Sequence, residues 1–558
     1  MSENQTTRIV VVGASAAGLR AAARARRRLP TAEIIVIDKD AFISYGACGM
    51  PYFVSGDIAS ADKLRETSYG LIRDPDFFRL AKGLEVITET RVERIDRDAR
   101  KVFCQSMRTG EMSEYSYNKL VLATGASPII PSGVPTGSKR ITTFKTLQDA
   151  IDLRKSLETG GIGKVGIVGG GSIGCELAEA FGALWGVKVV LIDAVPSILP
   201  NVLDPEMASA VEAYLKSEDV EIHTNCLLEG ITESKEAVTI KTAQVTIEAD
   251  YAVIAVGVRP NSQLAADCGL TVGKTGGIVV DDRMATSDPD IFAAGDCVEV
   301  KHLISGKPLH LPLGSLANRQ GRAIGSNLGG GDERFGPVAG SVAVKIFDMN
   351  VAATGLTEVS GKAAGFDVGC VWGTFTDKAE YYPESQNIYF KLVFDKASGR
   401  LLGLQGYSKR GEVVKNVNVF AALLKNRGQL EDLLGIEAAY APPYAPGLDP
   451  LFSLGCIAMN ALFEDVQPLS PGTPYDDRVI IDVRQAREAK SMSLSEEDAR
   501  NIPFEEIRVR WEEVPKGKPL ICICSKGLRS AEAVRFLKEK GFSDVVYLGG
   551  GYLMRPVD

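Results

Sequence analysis

The chain has 558 residues, too many for one hydrophobic core, and a prior of roughly 100–200 residues per domain gives three or four domains. Its 45% hydrophobic and 24% charged content is that of an ordinary globular protein, and a net charge of −8 gives no reason to expect nucleic acid as a partner. No apolar run approaches the roughly 20 residues that span a bilayer, the first residues lack the apolar core of a signal peptide, and ten cysteines without regular spacing argue against a disulfide framework, so no membrane is expected as a partner and a reducing cytoplasm is the expected compartment.

Arg8 to Val12 reads as a buried strand running into the small-residue turn Gly13-Ala14-Ser15-Ala16-Ala17-Gly18, and the alanine-rich stretch Leu19 to Arg28 as a helix. Such a turn lets the backbone approach a pyrophosphate, while the helix N-terminus supplies N–H donors and a positive dipole. The strand Glu33 to Ile37 ends at Asp38, about twenty residues on, where a carboxylate can accept a ribose hydroxyl. Lys39 and Ser44 complete the candidate contacts of this first nucleotide, whose middle glycine is replaced by Ser15. Next comes Ser44-Tyr45-Gly46-Ala47-Cys48-Gly49-Met50-Pro51-Tyr52, with a lone cysteine. Leu120 to Ala126 is a further buried strand, ending in Thr124-Gly125.

A second fingerprint, Gly169-Gly170-Gly171-Ser172-Ile173-Gly174, follows the strand Lys164 to Val168 and carries the full glycine pattern. Its partner strand, Val187 to Ile192, ends in Asp193, which favours the free 2′-hydroxyl of NADH over the 2′-phosphate of NADPH. Ala252 to Asn261 and Ile291 to Asp296 read as two more strands ending in glycine turns, at Gly257 and at Gly295-Asp296.

Together these segments resemble the two-dinucleotide flavoprotein disulfide reductase family over roughly residues 7–450. The resemblance implies FAD in the first fold, NADH in the second, and contact of Asp296 with the flavin ribityl chain. It places an FAD-binding domain at 1–145 and 261–331, an NADH-binding domain at 146–260 and a dimerisation domain at 332–453, hence a homodimer.

Many members use two cysteines four residues apart, whereas Cys48 is alone and needs an external sulfur partner or an oxidised state. Its segment resembles the single-cysteine branch of coenzyme A disulfide reductases, NADH oxidases and peroxidases, and persulfide reductases. The oxidase and peroxidase members carry a histidine in the first turn where this chain has Ala16. Ala379-Glu380-Tyr381-Tyr382-Pro383 and Ala439-Tyr440-Ala441-Pro442-Pro443-Tyr444 resemble segments of the coenzyme A disulfide and persulfide reductases. By that resemblance Tyr381 and Tyr440 come from the second subunit and reach the cysteine. The helix after the first fingerprint carries Arg24, Arg26, Arg27 and Arg28, and relatives use basic side chains there for coenzyme A phosphates, making Arg24 and Arg27 candidate substrate contacts. Val414 to Asn418 and Ala445 to Pro450 depart from the family pattern, so substrate identity is open to change.

From Phe452 to Asp477 strand signals fade and prolines accumulate, which reads as a linker (454–475) with one helix from Leu454 to Phe463. Arg478 to Arg484, Pro519 to Cys524 and Val545 to Leu548 are then strands, with a helix from Ser530 to Lys540. Cys524 opens Cys524-Ser525-Lys526-Gly527-Leu528-Arg529-Ser530, where backbone N–H groups at a helix N-terminus can lower a thiol pKa and hold a persulfide. Lys526 and Arg529 add positive charge. This loop and the Asp482-Val483-Arg484 strand resemble rhodanese sulfurtransferases over about 476–558. Six residues from Cys524 to Arg529 is the length that accommodates sulfur there. Cys522 and the remaining cysteines read as core. Three histidines, with no zinc spacing, leave no metal site in view.

The expected fold is α/β: two Rossmann-like dinucleotide-binding domains for FAD and NADH, an α+β dimerisation domain and a C-terminal α/β rhodanese domain. The expected activity is NADH-driven reduction, at Cys48, of coenzyme A persulfide, polysulfide or coenzyme A disulfide, with Cys524 handling sulfane sulfur from donors such as thiosulfate. Coenzyme A is a further candidate for binding. The alternatives are an NADH oxidase with an accessory rhodanese domain, and a non-catalytic flavin and thiol redox sensor.

Overall fold

The computed structural model describes residues 7–475, 477–492, 494 and 499–555, so the outer domain limits expected at 1, 476 and 558 lie outside the described residues. One compact unit holds the residues up to Ala194 with Cys226–His302 and Gly306–Val338; the other holds Val195–Asn225, Leu303–Ser305 and the chain from Ala339 onward.

In the first unit, Arg8–Val12 lies between Glu33–Ile37 and Lys119–Leu122, all parallel, with Ile291–Ala293 and Glu85–Ile87 at the two edges. Ile9, Val10 and Val11 are fully buried, as expected of a parallel sheet covered on both faces. The helix Ala17–Arg28 runs from the first turn and packs against the helix Gly314–Leu328. Gly321 and Gly325 line one face of the latter, and a Cβ at each would come within 2.4–2.5 Å of Ala17 O and Ala21 O respectively. The two backbones therefore touch only because no side chain intervenes.

A second parallel sheet has Lys164–Val168 flanked by Lys188–Ile192 and Tyr251–Ile254, with Ile141–Thr143 beyond. Both chain crossings between these sheets meet as an antiparallel pair, Ala126–Pro128 with Val258–Pro260. Thr124 Oγ1 donates to Asn261 O (2.6 Å) and Asn261 Nδ2 returns a bond to Thr124 O (2.8 Å), which fastens the crossing.

The second unit contains a five-stranded antiparallel sheet ordered 342–346, 349–355, 401–408, 387–395, 368–376. The helices Glu412–Lys425 and Pro450–Phe463 bury Val417, Phe420, Leu451 and Leu454 in its core. A parallel sheet comes next, ordered 468–469, 545–548, 520–523, 479–482, 500–501. Its first strand, Pro468–Leu469, falls where the prolines argued against any strand; Pro468 sits at the strand's first position, where a missing N–H is tolerated. The helix expected from Leu454 begins earlier, at Pro450, behind an Asp449 cap. Among the described residues no helix is long and apolar enough to cross a membrane.

The helix Pro205–Ser217 joins this unit through a buried charge. Lys391 is fully buried on the strand Asn387–Asp395, and its ammonium meets Asp204 (2.9 Å), Glu206 (2.5 Å) and Glu358 (2.8 Å), with the Trp372 ring 5.3 Å away. Burial pulls the Lys391 pKa down, but Cys370 and the three carboxylates outweigh it and raise it overall. Lys391→Met would leave Asp204 and Glu206 buried without a cation, while Glu358 keeps Lys362 (2.6 Å), so a loss of about 3–5 kcal/mol is expected in chemical denaturation. A loss under about 1 kcal/mol would show that the carboxylates are satisfied some other way.

Candidate active site

The two fingerprint turns have one geometry. Gly13 (φ +108°) and Gly169 (φ +115°) face the carbonyls of Ala123 and Ala255, where a Cβ would stand 2.1 and 2.4 Å from oxygen. At Gly18 and Gly174 a Cβ would lie 1.9 Å from the Gly13 and Gly169 carbonyls. A Cβ at Gly171 would meet nothing within 4 Å, which is why Ser15 is accommodated at the equivalent place. Each turn is tied to the next strand by its carboxylate: Asp38 accepts from Ala14 N (2.5 Å) and Asp193 from Gly170 N (2.6 Å). Burial pushes the Asp38 carboxyl up, against the backbone bonds that lower it.

Both fingerprint helices lack a side-chain cap and an acidic residue in the first turn, whereas Asp74, Thr146 and Thr357 cap other helices. Uncapped N–H groups behind a glycine turn suit an anionic pyrophosphate, so the residues present fit two dinucleotides. Ser44 adopts the left-handed region (φ 52°) and its N–H donates to Ala14 O, so the chain turns sharply from the first fingerprint toward Cys48.

Cys48 is an exposed free thiol in the short 3₁₀ turn Ala47–Gly49, ahead of the helix Met50–Val54. That helix is anchored by Arg154 Nη1 to Phe53 O (2.7 Å) and Trp185 Nε1 to Val54 O (2.8 Å). The helix Gly314–Leu328 begins beside the sulfur, since a Cβ on Gly314 would stand 3.8 Å from it. Desolvation raises the Cys48 pKa, Glu176 and Asp296 add to this, and Lys145, 3.0 Å from Asp296, opposes it. Burial and Glu179 push the Glu176 carboxyl up to about 7, against the nearby Tyr52 phenol, which lowers it. Sequence reasoning missed Glu176, Tyr52, Lys145 and Gly314. A signal for the first existed: Glu176 is a carboxylate just past the glycine pattern, in the second turn of the second fingerprint helix.

The arginine run divides. Arg26 is used up on the carbonyls of Pro30, Ala32 and Gly83, and Arg24 Nε donates to Ser326 Oγ (2.9 Å). Arg27 has its pKa lowered by desolvation and by the like charges of Arg24, Arg20 and Arg322, a cationic cluster.

In the second unit, Tyr381 and Tyr440 come together. Tyr381 occupies the turn between the strands Val368–Thr376 and Asn387–Asp395, and its phenol lies near that of Tyr440, raising the Tyr440 pKa. Ala379 N donates to Pro442 O (3.2 Å) between the two segments. The departing stretch Ala445 to Pro450 runs alongside, since a Cβ on Gly447 would stand 3.9 Å from Tyr440 Cζ.

Cys524 is buried, and its sulfur accepts from Gly527 N (3.1 Å) and Ser530 N (3.4 Å), with Ser530 Oγ at 3.3 Å. The helix Leu528–Glu539 starts at this cradle, two residues before the expected Ser530, because Gly527 (φ +97°) turns the chain into it. Gly551 packs beneath: a Cβ there would lie 2.6 Å from Cys524 O and from the Lys526 and Gly527 nitrogens. Arg529 is held by Glu488 through two bonds (2.7 and 2.8 Å), and this pairing brings the Glu488 carboxyl down to about 2. Arg484, fully buried, pairs with Asp482 (2.8 and 2.9 Å) and lies on the Tyr552 ring, so the Asp-Val-Arg pattern is a scaffold for the loop's return. Cys522 is buried core, whereas Cys268, Cys370 and Cys456, expected as core, are only partly buried.

Above about pH 7 the ionised Glu176 opposes a thiolate at Cys48. Glu176→Gln removes that charge, and the pH–rate profile for alkylation of Cys48 by iodoacetamide should move down by roughly half to one pH unit. An unmoved profile would show that the Glu176 charge does not reach the sulfur.

The sequence matches the pyridine nucleotide-disulphide oxidoreductase family over residues 7–320, its dimerisation domain over 341–450 and the rhodanese-like domain over 471–553. The solved NAD-dependent persulfide reductase from A. fulgidus is 38% identical, with 98% of this chain and 100% of that one covered and a TM-score of 0.95. An NADH oxidase of Methanocaldococcus jannaschii is 33% identical over 80% of this chain and 97% of its own length. An NAD(P)H coenzyme A polysulfide/persulfide reductase of Pyrococcus horikoshii is 32% identical over 81% and 99%. With more than half its length matched, and a rhodanese-like domain following, this chain belongs to the pyridine nucleotide-disulphide oxidoreductase family.

Proposed function

We propose that the protein is an FAD-dependent, NADH-driven reductase of sulfane sulfur (coenzyme A persulfide or polysulfide) or of coenzyme A disulfide, acting as a homodimer. One observation carries the reading: a single chain holds an exposed free thiol, Cys48, beside a dinucleotide turn and a second thiol, Cys524, inside a cradle of N–H donors. The relatives named for persulfide and polysulfide reduction support it.

Gly13, Ser15, Ala17, Gly18, Asp38, Lys39, Ser44, Thr124, Gly125, Gly295 and Asp296 would hold FAD, and Gly169, Gly171, Ser172, Ile173, Gly174, Asp193 and Gly257 would hold NADH. FAD, when bound, supplies the relay of an electron pair from NADH to sulfur. Cys48 attacks the sulfane sulfur or disulfide and holds it as a mixed disulfide. Tyr381 and Tyr440 of the partner subunit would donate a hydrogen bond or a proton to the departing sulfur. Arg24 and Arg27, in the cationic cluster, are suited to coenzyme A phosphates. Cys524 would carry sulfane sulfur, with thiosulfate among its donors, and Arg529 would hold the loop that encloses it. The labour divides over the segments 1–145 with 261–331 for FAD, 146–260 for NADH, 332–453 for dimerisation and 476–558 for sulfur transfer.

The test is anaerobic NADH oxidation by the FAD-loaded protein with coenzyme A persulfide, polysulfide and coenzyme A disulfide, with sulfide assayed. Cys48→Ser should lower turnover more than about a hundredfold while FAD stays bound. Cys524→Ser should abolish thiosulfate sulfurtransfer and spare reduction of coenzyme A disulfide. Loss of both activities in both variants would overturn this division. An oxidase reading has the Methanocaldococcus relative in its favour; rapid oxygen consumption without any sulfur acceptor would establish it instead.

A further inference from the structure

Both cations of the Cys524 loop are engaged by carboxylates. Arg529 is clamped by Glu488 from within the rhodanese-like domain. Lys526 Nζ meets Glu380 Oε1 at 2.6 Å, a residue 146 positions earlier, in the turn that carries Tyr381. This ion pair is not an isolated surface contact. The strand leading into that turn is fastened to the shelf under the loop, with Thr374 Oγ1 donating to Gly550 O (2.6 Å, buried) and a Cβ on Gly549 reaching 3.0 Å from Trp372 Cε3. The sulfur itself is served by Gly527 N, Ser530 N and Ser530 Oγ. Lys526 thus takes its carboxylate from outside the rhodanese-like domain, and that carboxylate partly offsets its charge.

We propose that Glu380 is a specificity-determining residue of the Cys524 loop: by neutralising Lys526 it disfavours doubly charged inorganic donors such as thiosulfate relative to alkyl persulfides. The proposal rests on the reading of Cys524 as a sulfur carrier. In that reaction the Cys524 thiolate attacks the outer sulfur of thiosulfate, a new S–S bond forms, the donor's S–S bond breaks, and sulfite leaves with the electron pair. Cyanide then takes the outer sulfur as thiocyanate and restores the thiolate. Thiosulfate brings its two charges to the loop and sulfite carries two away, and an unpaired Lys526 would attract both dianions where a paired one does not. Glu380 is 76% exposed at its side chain, so the effect is screened by salt and moderate in size.

The experiment measures thiosulfate:cyanide sulfurtransfer by the full-length protein as wild type, Glu380→Gln, Lys526→Met and the double variant. Persulfide formed on Cys524 from cysteine persulfide is followed in parallel by mass spectrometry. Glu380→Gln should raise kcat/KM for thiosulfate about three- to tenfold at low ionic strength, with the gain shrinking as salt is added. Loading from cysteine persulfide should change less than about twofold. The double variant should show no gain over Lys526→Met. A Glu380→Gln rate at or below wild type, or an equal gain without Lys526, would overturn the proposal. If no variant takes sulfur from either donor, the carrier reading itself fails and the specificity claim falls with it. If all take thiosulfate equally, only the specificity claim falls.

Discussion

A carbonyl oxygen standing where a side chain would otherwise be is the constraint on which the first unit depends. At Gly18 and at Gly174 that oxygen belongs to the glycine five residues earlier, and nothing larger than hydrogen fits. The closure brings each helix N-terminus directly behind its strand and lets Asp38 and Asp193 reach back to the turns. The same device recurs between helices: with Gly321 and Gly325 bare, the helix Gly314–Leu328 can lie on Ala17–Arg28, and its first residue arrives beside Cys48. Backbone-to-backbone contact, not side-chain fit, thus sets where the first thiol stands.

The two thiols occupy opposite electrostatic settings. Cys48 is exposed but faces Glu176 and Asp296, which oppose its ionisation, with Lys145 as partial relief. Cys524 is enclosed and surrounded by donors, and the cations of its loop are each paired with a carboxylate.

What could be read from the chain directly was local. The strand–turn–helix units, the lone Cys48 and the Cys524 loop each lie within a few consecutive residues, so their chemistry is written in order; the strands Glu33–Ile37 and Val545–Leu548 fall where alternation and apolar runs put them. The groups that tune those sites were not legible because tertiary packing supplies them. Glu176 meets Cys48 from a helix 128 positions on, Lys145 meets Asp296 across 151, and Glu380 meets Lys526 across 146. No periodicity marks such pairs. Arg26 shows the converse case: a basic residue in a suggestive run serves three carbonyls of its own surroundings.

The buried Lys391 has a consequence for how the protein is made. Its partner Glu206 precedes it by 185 residues. At roughly 5–20 residues per second, the helix Pro205–Ser217 leaves the ribosome on the order of ten to forty seconds before its cation exists. During synthesis that acidic helix start has only water to satisfy its charge, so its junction with the sheet closes only once the strand Asn387–Asp395 has emerged. A chaperone or protease patrolling the nascent chain would meet this segment open.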